Sequence, residues 1–259
     1  MLDLHQIKKY YPASLHGFSR LLLREYLQCK ILDIIYRGPY AHRFVFLGGT
    51  CLRLVHGNQR FSEDLDFDLV DLQWDQFQEM ANHVADELMN LGHSVEIRVI
   101  SRGAFHCFIR FPSLLYQQGL SGYAEEKILI QIDSEDQQYN YTPERPLLNK
   151  FDVFTDVLAT PLPILMAQKC YAILNRKRNK GRDFFDLVFL MGLNTQPDWN
   201  FLYQKLGIGG GADLKNRILA HCETLDMKAM ASDVEPFLFR AGDEKKVLLF
   251  TEYLKGYSF

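Results

Sequence analysis

Residues 63–70 (EDLDFDLV) alternate acid with hydrocarbon: Asp64, Asp66 and Asp68 are interleaved with Leu65, Phe67 and Leu69. An extended chain sends successive side chains to opposite faces, so the segment reads as a strand with one apolar face and one carboxylate face. The apolar face demands a core on its side. The acidic face demands a cation, because neighbouring like charges raise one another's pKa and destabilise a bare strand. A divalent ion such as magnesium suits this need, being a hard cation held by one or two carboxylates together with substrate phosphates. A solvated outer face of an amphipathic strand is the other reading of the same alternation.

The chain just upstream favours the first reading. Arg43–Leu47 (RFVFL) is β-branched and aromatic, reads as a strand, and stops at Gly48-Gly49. Thr50–His56 then reads as a short helix closed by Gly57-Asn58. Glycines let the backbone approach a bound group closely, and a helix start offers free N–H groups and a positive dipole end. A triphosphate resting on Gly48, Gly49 and Thr50 could therefore share a metal with the strand acids.

The rest of the chain divides in two. Residues 14–36 carry leucine and isoleucine at three- and four-residue spacings and predict one or two helices. Asp71 is a reasonable N-cap for a helix running to about Leu91 and closed by Gly92. Strands are expected at Ser94–Ile100, Ala104–Phe111 and Lys127–Asp133, with residues 101–103 as the hairpin turn between the first two. From Pro161 onward the pattern is helical, at about 162–178, 183–193, 198–206, 213–223 and 243–256, with Gly209-Gly210-Gly211 as a short flexible joint. The expected fold class is α+β: a mixed sheet with flanking helices over 1–158, then a helical domain over 159–259.

Composition narrows the function classes. Hydrophobic residues at 47% exclude a disordered chain, and a formal charge of -3 excludes a globally basic nucleic-acid binder while permitting a local basic patch. The five cysteines are scattered without a CxxC, so a disulfide framework or zinc knuckle is not expected and a reducing, cytoplasmic setting fits. The opening MLDLHQIKKYYP lacks the apolar run of a secretory signal, and no stretch reaches the roughly 18 apolar residues of a membrane span. HExxH, GxSxG, Walker A and GxGxxG patterns are all missing. His106-Cys107, inside an expected strand, reads as packing.

A strand, Gly-Gly-Thr, a short helix and then D-x-D resembles the polymerase-β-like nucleotidyltransferase superfamily. More narrowly, GGTxLRL followed by RFSEDLDFDL resembles the AbiEii/AbiGii toxins of bacterial abortive-infection and toxin–antitoxin systems. The resemblance runs from about residue 40 to 190. Its one departure is a slightly longer interval between Gly49 and Asp64, with the surplus in Gly57-Asn58-Gln59-Arg60 lengthening a loop. It implies a nucleotidyltransferase fold, Mg2+ (or Mn2+) as cofactor with Asp64 and Asp66 as ligands, and an NTP as substrate. Arg60 belongs to the same motif and could reach a phosphate; Ser62 could line the nucleotide site. A loop arginine and a strand-cap serine are their plainer readings.

Superfamily enzymes often add a third carboxylate from a neighbouring strand, and Asp133 at the end of KILIQID fits that place; it could equally initiate the turn at Ser134-Glu135-Asp136. Lys169 lies in one helical stripe with Leu162, Met166, Ile173 and Arg176, where a buried ammonium needs an anion beside it. A nucleotide phosphate would satisfy it, as would snorkelling to a core edge. KCYAILNRKRNKGRDFFDL (169–187) resembles the family's downstream motif, which implies catalytic roles for Lys169 and Asp183. Asp183 could also cap the next helix, and Asp186 could be an internal partner for a nearby arginine. Arg176 and Arg182 are the candidate RNA contacts in a basic stretch free of acids.

The implied activity is transfer of NMP from an NTP to an RNA acceptor, the tRNA 3′ end, by a toxin with a cognate antitoxin and no membrane partner. A small-molecule or protein acceptor, or a catalytically silent nucleotide- or RNA-binding regulatory module, are the alternatives.

Overall fold

The computed structural model describes residues 2–259, which form two compact units. Unit 1 takes the chain up to His56 together with Phe61–Ala159; unit 2 takes Gly57–Arg60 and Thr160–Phe259. The C-terminal division falls beside the expected 158/159 boundary, but the four residues that lengthen the loop before the acidic strand cluster with the second unit.

Unit 1 is built on a five-stranded mixed sheet. In chain order its helices are α1 (Leu4–Lys8), α2 (Ser19–Arg37), α3 (Gly48–Leu54), α4 (Trp74–Asn90) and α5 (Leu114–Gln117). The sheet strands are β1 (Phe44–Leu47), β2 (Leu65–Leu69), β3 (Glu96–Arg102), β4 (Ala104–Phe111) and β5 (Ile128–Glu135), and β6 (Leu147–Lys150) pairs with β7 (Val153–Asp156) as a separate ribbon. The order is β1-β2-β5-β4-β3, with β2 parallel to β5 and the other pairs antiparallel. Alternation sorts the two faces. Phe44, Phe46, Leu65, Phe67, Cys107, Ile109, Phe111, Ile128, Ile130 and Ile132 are all buried, and Phe44 meets Phe67 and Phe77 edge-on or tilted. The other face carries the polar residues treated below.

Two local expectations are corrected. Asp71 does not cap α4: it sits at φ +50° in a turn and pairs with Arg43, while Gln73 caps the helix through a reciprocal box with Gln76. The helix after β1 begins at Gly48, so both glycines belong to its first turn.

α2 is long and buries polar as well as apolar groups. Glu25 is 2% exposed, accepts from the Tyr11 hydroxyl at 2.6 Å and from Arg53 Nε at 2.9 Å, and pairs with Lys150. Burial pushes the Glu25 carboxyl upward, but Lys150 and Arg53 outweigh it and hold the group below its ordinary value. This cluster ties α2 to α3 and to the β6–β7 ribbon.

Unit 2 is helical over its described C-terminal part: α6 (Leu162–Asn175), α7 (Gly181–Gly192), α8 (Trp199–Leu206), α9 (Gly211–Cys222), α10 (Met227–Val234), α11 (Lys245–Leu248) and α12 (Phe250–Gly256). Met227–Val234 forms α10, capped by Asp226, where no helix was expected, and the expected helix over 243–256 is two short ones. Gly181 opens α7 where a Cβ would collide with the Met230 carbonyl, and its N–H donates to Asp233 of α10 at 2.8 Å. The glycine joint is also used in packing, since a Cβ on Gly211 would press on Phe259 at 2.8 Å. Among the described residues no helix is long and apolar enough to cross a membrane.

Candidate active site

β-Sheet register brings the sequence-nominated acids of unit 1 together. Asp66 on β2 lies opposite Leu47 on one side and Asp133 on the other, and Asp133 lies opposite His106. Partners in register project to the same face, so Leu47, Asp66, Asp133 and His106 form a row across four strands. Leu47 ends β1 immediately before Gly48. Gly48 adopts φ +79°, and a Cβ there would collide with the Asp66 carboxylate. A side chain at 48 is thus excluded twice, by backbone conformation and by the acid it faces.

Asp64 precedes β2 by one residue and is half-buried, as is Asp66. Thr50 is fully buried, and its hydroxyl donates to the Asp64 carbonyl at 2.5 Å. The threonine expected to cradle phosphate is therefore a tether between α3 and the approach to β2. Ser62 is buried at the same approach. Asp68, the outer acid, is 5% exposed and accepts the Gln137 N–H at 2.8 Å. Burial raises its pKa, partly offset by bonds from the Gln137 N–H and the Tyr141 side chain. It anchors the segment after β5 rather than facing solvent.

Asp133 is held by two side-chain donors. Its Oδ1 accepts from His106 Nδ1 at 2.6 Å and from Gln131 Nε2 at 2.7 Å. Among the described residues its Oδ2 accepts no hydrogen bond. The sequence reading gave His106 to packing, yet Cys107 alone turns into the core while His106 turns to the polar face. The parity of β4 carried that signal: His106 alternates with Phe105 and Cys107, opposite in phase to the apolar set. The β4–β5 register that puts it beside Asp133 could not be read from the sequence.

The donor set is compatible with magnesium. Asp64 and Asp66 offer hard oxygens, and the missing Cβ at Gly48 lets the backbone lie close against the Asp66 carboxylate. No group of three or more histidine, cysteine or acidic side chains placed to hold a metal occurs among the described residues. A cation at this row would complete its shell from substrate oxygens and water, as magnesium does at phosphate-transfer sites.

Unit 2 holds the remaining candidates in a separate charge network. Asp186 is fully buried; its carboxylate accepts from Arg60 Nε at 2.7 Å, Arg60 Nη2 at 2.6 Å and Asn58 Nδ2 at 2.8 Å, with Lys169 Nζ at 2.8 Å. Lys169 also pairs with Asp183 at 3.0 Å, and Asp183 with Arg176 at 2.6 Å. Arg60, expected to reach a phosphate, is instead 1% exposed against Asp186. Its place in the inserted loop Gly57–Arg60, which clusters with unit 2, is the physical reason. The anions required by Lys169 in its apolar stripe are supplied by Asp186 and Asp183. Burial would lower the Lys169 pKa, but those two carboxylates outweigh it and raise it above its ordinary value.

Asp183 lies in the first turn of α7 and makes no cap bond. Arg176 ends α6 with its side chain 45% exposed, and Lys177 and Arg178 beside it are exposed. Arg182, in the first turn of α7, is partly exposed.

Comparison with known proteins identifies the family and the fold. A family model described as "Nucleotidyl transferase AbiEii toxin, Type IV TA system" matches residues 30–239. No curated protein matches the chain. Among solved structures, JHP933 from Helicobacter pylori is 18% identical with a TM-score of 0.55, over 91% of this chain and 90% of that one. A second H. pylori protein, provisionally described as a nucleotidyltransferase, is 19% identical with a TM-score of 0.56, over 91% and 93%. Both share the fold. The family match spans most of the chain and both units, and the protein belongs to the AbiEii nucleotidyltransferase toxin family of type IV toxin–antitoxin systems.

Proposed function

We propose that this nucleotidyltransferase toxin is divalent-metal dependent and transfers NMP from an NTP to RNA, with the 3′ end of tRNA as acceptor. The observation that carries the reading is the register of Asp66 beside Asp133, with Asp66 facing Gly48. Asp64 and Asp66 would hold Mg2+ (or Mn2+), and the backbone at Gly48 and Gly49 would receive the triphosphate. Bound metal would supply charge stabilisation for the attacking and leaving oxygens. Asp133 takes the proton of the acceptor hydroxyl on Oδ2. That oxygen bonds to the α-phosphorus while the bond to the bridging oxygen breaks and pyrophosphate departs.

Lys169 and Asp183 enter the proposal as the family resemblance nominates them, a largely enclosed cation kept charged by Asp183 and Asp186. Arg176 and Arg182, in a basic stretch exposed at residues 176–178, are assigned to the RNA backbone. A cytoplasmic setting suits an RNA acceptor and five buried, unbridged cysteines. The family implies an antitoxin partner.

Label transfer tests the proposal. The protein is incubated with magnesium, total tRNA and each α-labelled NTP, beside Asp64→Ala. Label on tRNA that disappears with the substitution is the expected result. Bound nucleotide without labelled tRNA would move the acceptor to a small molecule or a protein. No nucleotide binding at all would leave a silent regulatory module. Growth arrest on expression without a partner is expected of the toxin, and healthy cells would count against it.

A further inference from the structure

We propose that His106 is a positioning residue that fixes the Asp133 carboxylate for proton transfer. The proposal rests on the reading of Asp133 given above, and its own support is geometric. His106 and Asp133 face each other in register on β4 and β5, with Nδ1 and Oδ1 2.6 Å apart. Gln131, two residues earlier on β5 and on the same face, donates to the same oxygen at 2.7 Å. Two donors on one oxygen fix the carboxylate's rotation about its χ2 bond, which is otherwise a soft, two-fold torsion. Oδ2 is left as the oxygen that accepts nothing from the described chain, and is therefore the one that can take a proton.

The imidazole is itself held. Its ring lies near that of Phe108 on the same strand face, with centroids 6.4 Å apart and planes inclined by 28°. His106 and Asp133 are 26% and 32% exposed. The pair is thus reachable by substrate, unlike the enclosed ion pairs of unit 2. The pair is partly exposed, so solvent screens it and limits what it adds to stability. Orientation accounts for the two donors on one oxygen.

The reaction step assigns each group its part. The acceptor hydroxyl gives its proton to Asp133 Oδ2 as its oxygen bonds to the α-phosphorus. The phosphorus–oxygen bond to pyrophosphate breaks, taking the electron pair with the leaving group. His106 keeps its own proton and touches neither substrate nor nucleotide. It acts by holding Oδ2 at the hydroxyl.

The test compares His106→Phe, which keeps a ring over Phe108 and removes the donor, with His106→Asn, whose amide nitrogen can stand at the Nδ1 position. Expected is a fall in kcat of about ten- to a hundred-fold for His106→Phe, the scale of a misplaced catalytic group. KM for NTP and thermal stability should be essentially unchanged, while His106→Asn recovers kcat to within about three-fold of wild type. Equal kcat for wild type and His106→Phe, or no recovery by His106→Asn, overturns the proposal. A crystal structure of His106→Phe supplies a readout independent of turnover. A rotated or disordered Asp133 carboxylate is expected, and one unmoved overturns the clamp. Wild-type protein that transfers no label would refute the proposed reaction, leaving the crystal structure to decide on the clamp.

Discussion

Asp186 in unit 2 is fully buried and shares its carboxylate among Arg60, Lys169 and Asn58, whereas Asp133 in unit 1 is 32% exposed and accepts from His106 and Gln131. Both are aspartates that the sequence reading weighed, Asp186 inside the stretch that resembles the family's downstream motif and Asp133 as a third carboxylate on a neighbouring strand, and the fold treats them in opposite ways. Moving a carboxylate out of water costs several kcal/mol and is tolerable only with strong internal cations. Unit 2 meets that cost with Arg60, Lys169 and Arg176 around Asp183 and Asp186, and the charges there largely cancel. The row in unit 1 stays within reach of solvent. Motif membership therefore does not separate solvent-accessible acids from internally paired ones; burial and the charge of the partners do.

The largest effect expected is on activity at the sheet. Asp66→Ala should lower label transfer by about a thousand-fold, roughly 4 kcal/mol of barrier, as expected when charge stabilisation at a phosphoryl centre is lost. Because Asp66 is half-buried, the urea midpoint should move little. A variant that unfolds, or one that still transfers label at a tenth of the wild-type rate, would erase the contrast between the two regions.

Asp186→Ala is the mirror experiment. It strands Arg60 and Lys169 without their shared carboxylate, and truncating one partner of a buried pair costs about 3–5 kcal/mol. Urea unfolding would read the loss, and a change below about 1 kcal/mol would mean the network is not structural. The pH dependence carries a definite sign. Burial acts to raise the Asp186 pKa, but Arg60 and then Lys169 outweigh it, so the folded value lies below the ordinary 3.8. A carboxylate depressed by folding stabilises above its unfolded pKa and loses that contribution as pH falls through the folded value. The acid limb of the wild-type stability curve, below about pH 4, should be steeper than that of Asp186→Ala. Lys169 has its pKa raised, so its contribution is complete below the ordinary 10.5 and fades only at higher pH.

Gly48→Ala probes the sheet site through the backbone. At φ +79° an L-residue carries about 1–2 kcal/mol of strain, and its Cβ must displace the Asp66 carboxylate. Stability should fall by about that amount, and label transfer by more than the fraction of unfolded protein explains. A folded Gly48→Ala protein with full activity would show that the close approach at Asp66 has no part in the chemistry.

Much of unit 1 was legible because period-two alternation is a local property. The bounds of β4 agree with the expected Ala104–Phe111, and the acidic strand was placed by the alternation of Asp64, Asp66 and Asp68 with Leu65, Phe67 and Leu69. The β6–β7 ribbon was not seen, since Asn149, Lys150 and Asp152 interrupt any alternation there. Asp71 misled because a single aspartate before a helical period looks like a cap, while its positive φ depends on the turn joining β2 to α4. At the site, the sequence nominated Asp64, Asp66, Asp133, Lys169 and Asp183, and could not say which were solvated. His106 needed the register of β4 on β5. The burial of Arg60 needed the knowledge that Gly57–Arg60 clusters with unit 2, a long-range fact with no local signature.

The smallest expected effect sharpens the comparison from its exposed margin. Arg176 pairs with Asp183 at 2.6 Å, yet its side chain is 45% exposed, so solvent screens the pair and Arg176→Ala should cost under about 1 kcal/mol of stability. Asp183 keeps Lys169 as a partner in the variant, which further limits the loss. Binding should respond differently. If Arg176 neutralises one phosphate, its removal should weaken tRNA binding similarly across sequences and reduce the slope of log K against log salt by about one. Titrating fluorescent tRNA against wild type and variant over a salt series reads that slope directly. An unchanged slope would make Arg176 a member of the structural network alone. A reduced slope would make it the point where an internally balanced cluster also faces an anionic partner, and Arg182→Ala, also partly exposed in the first turn of α7, should then reduce it again.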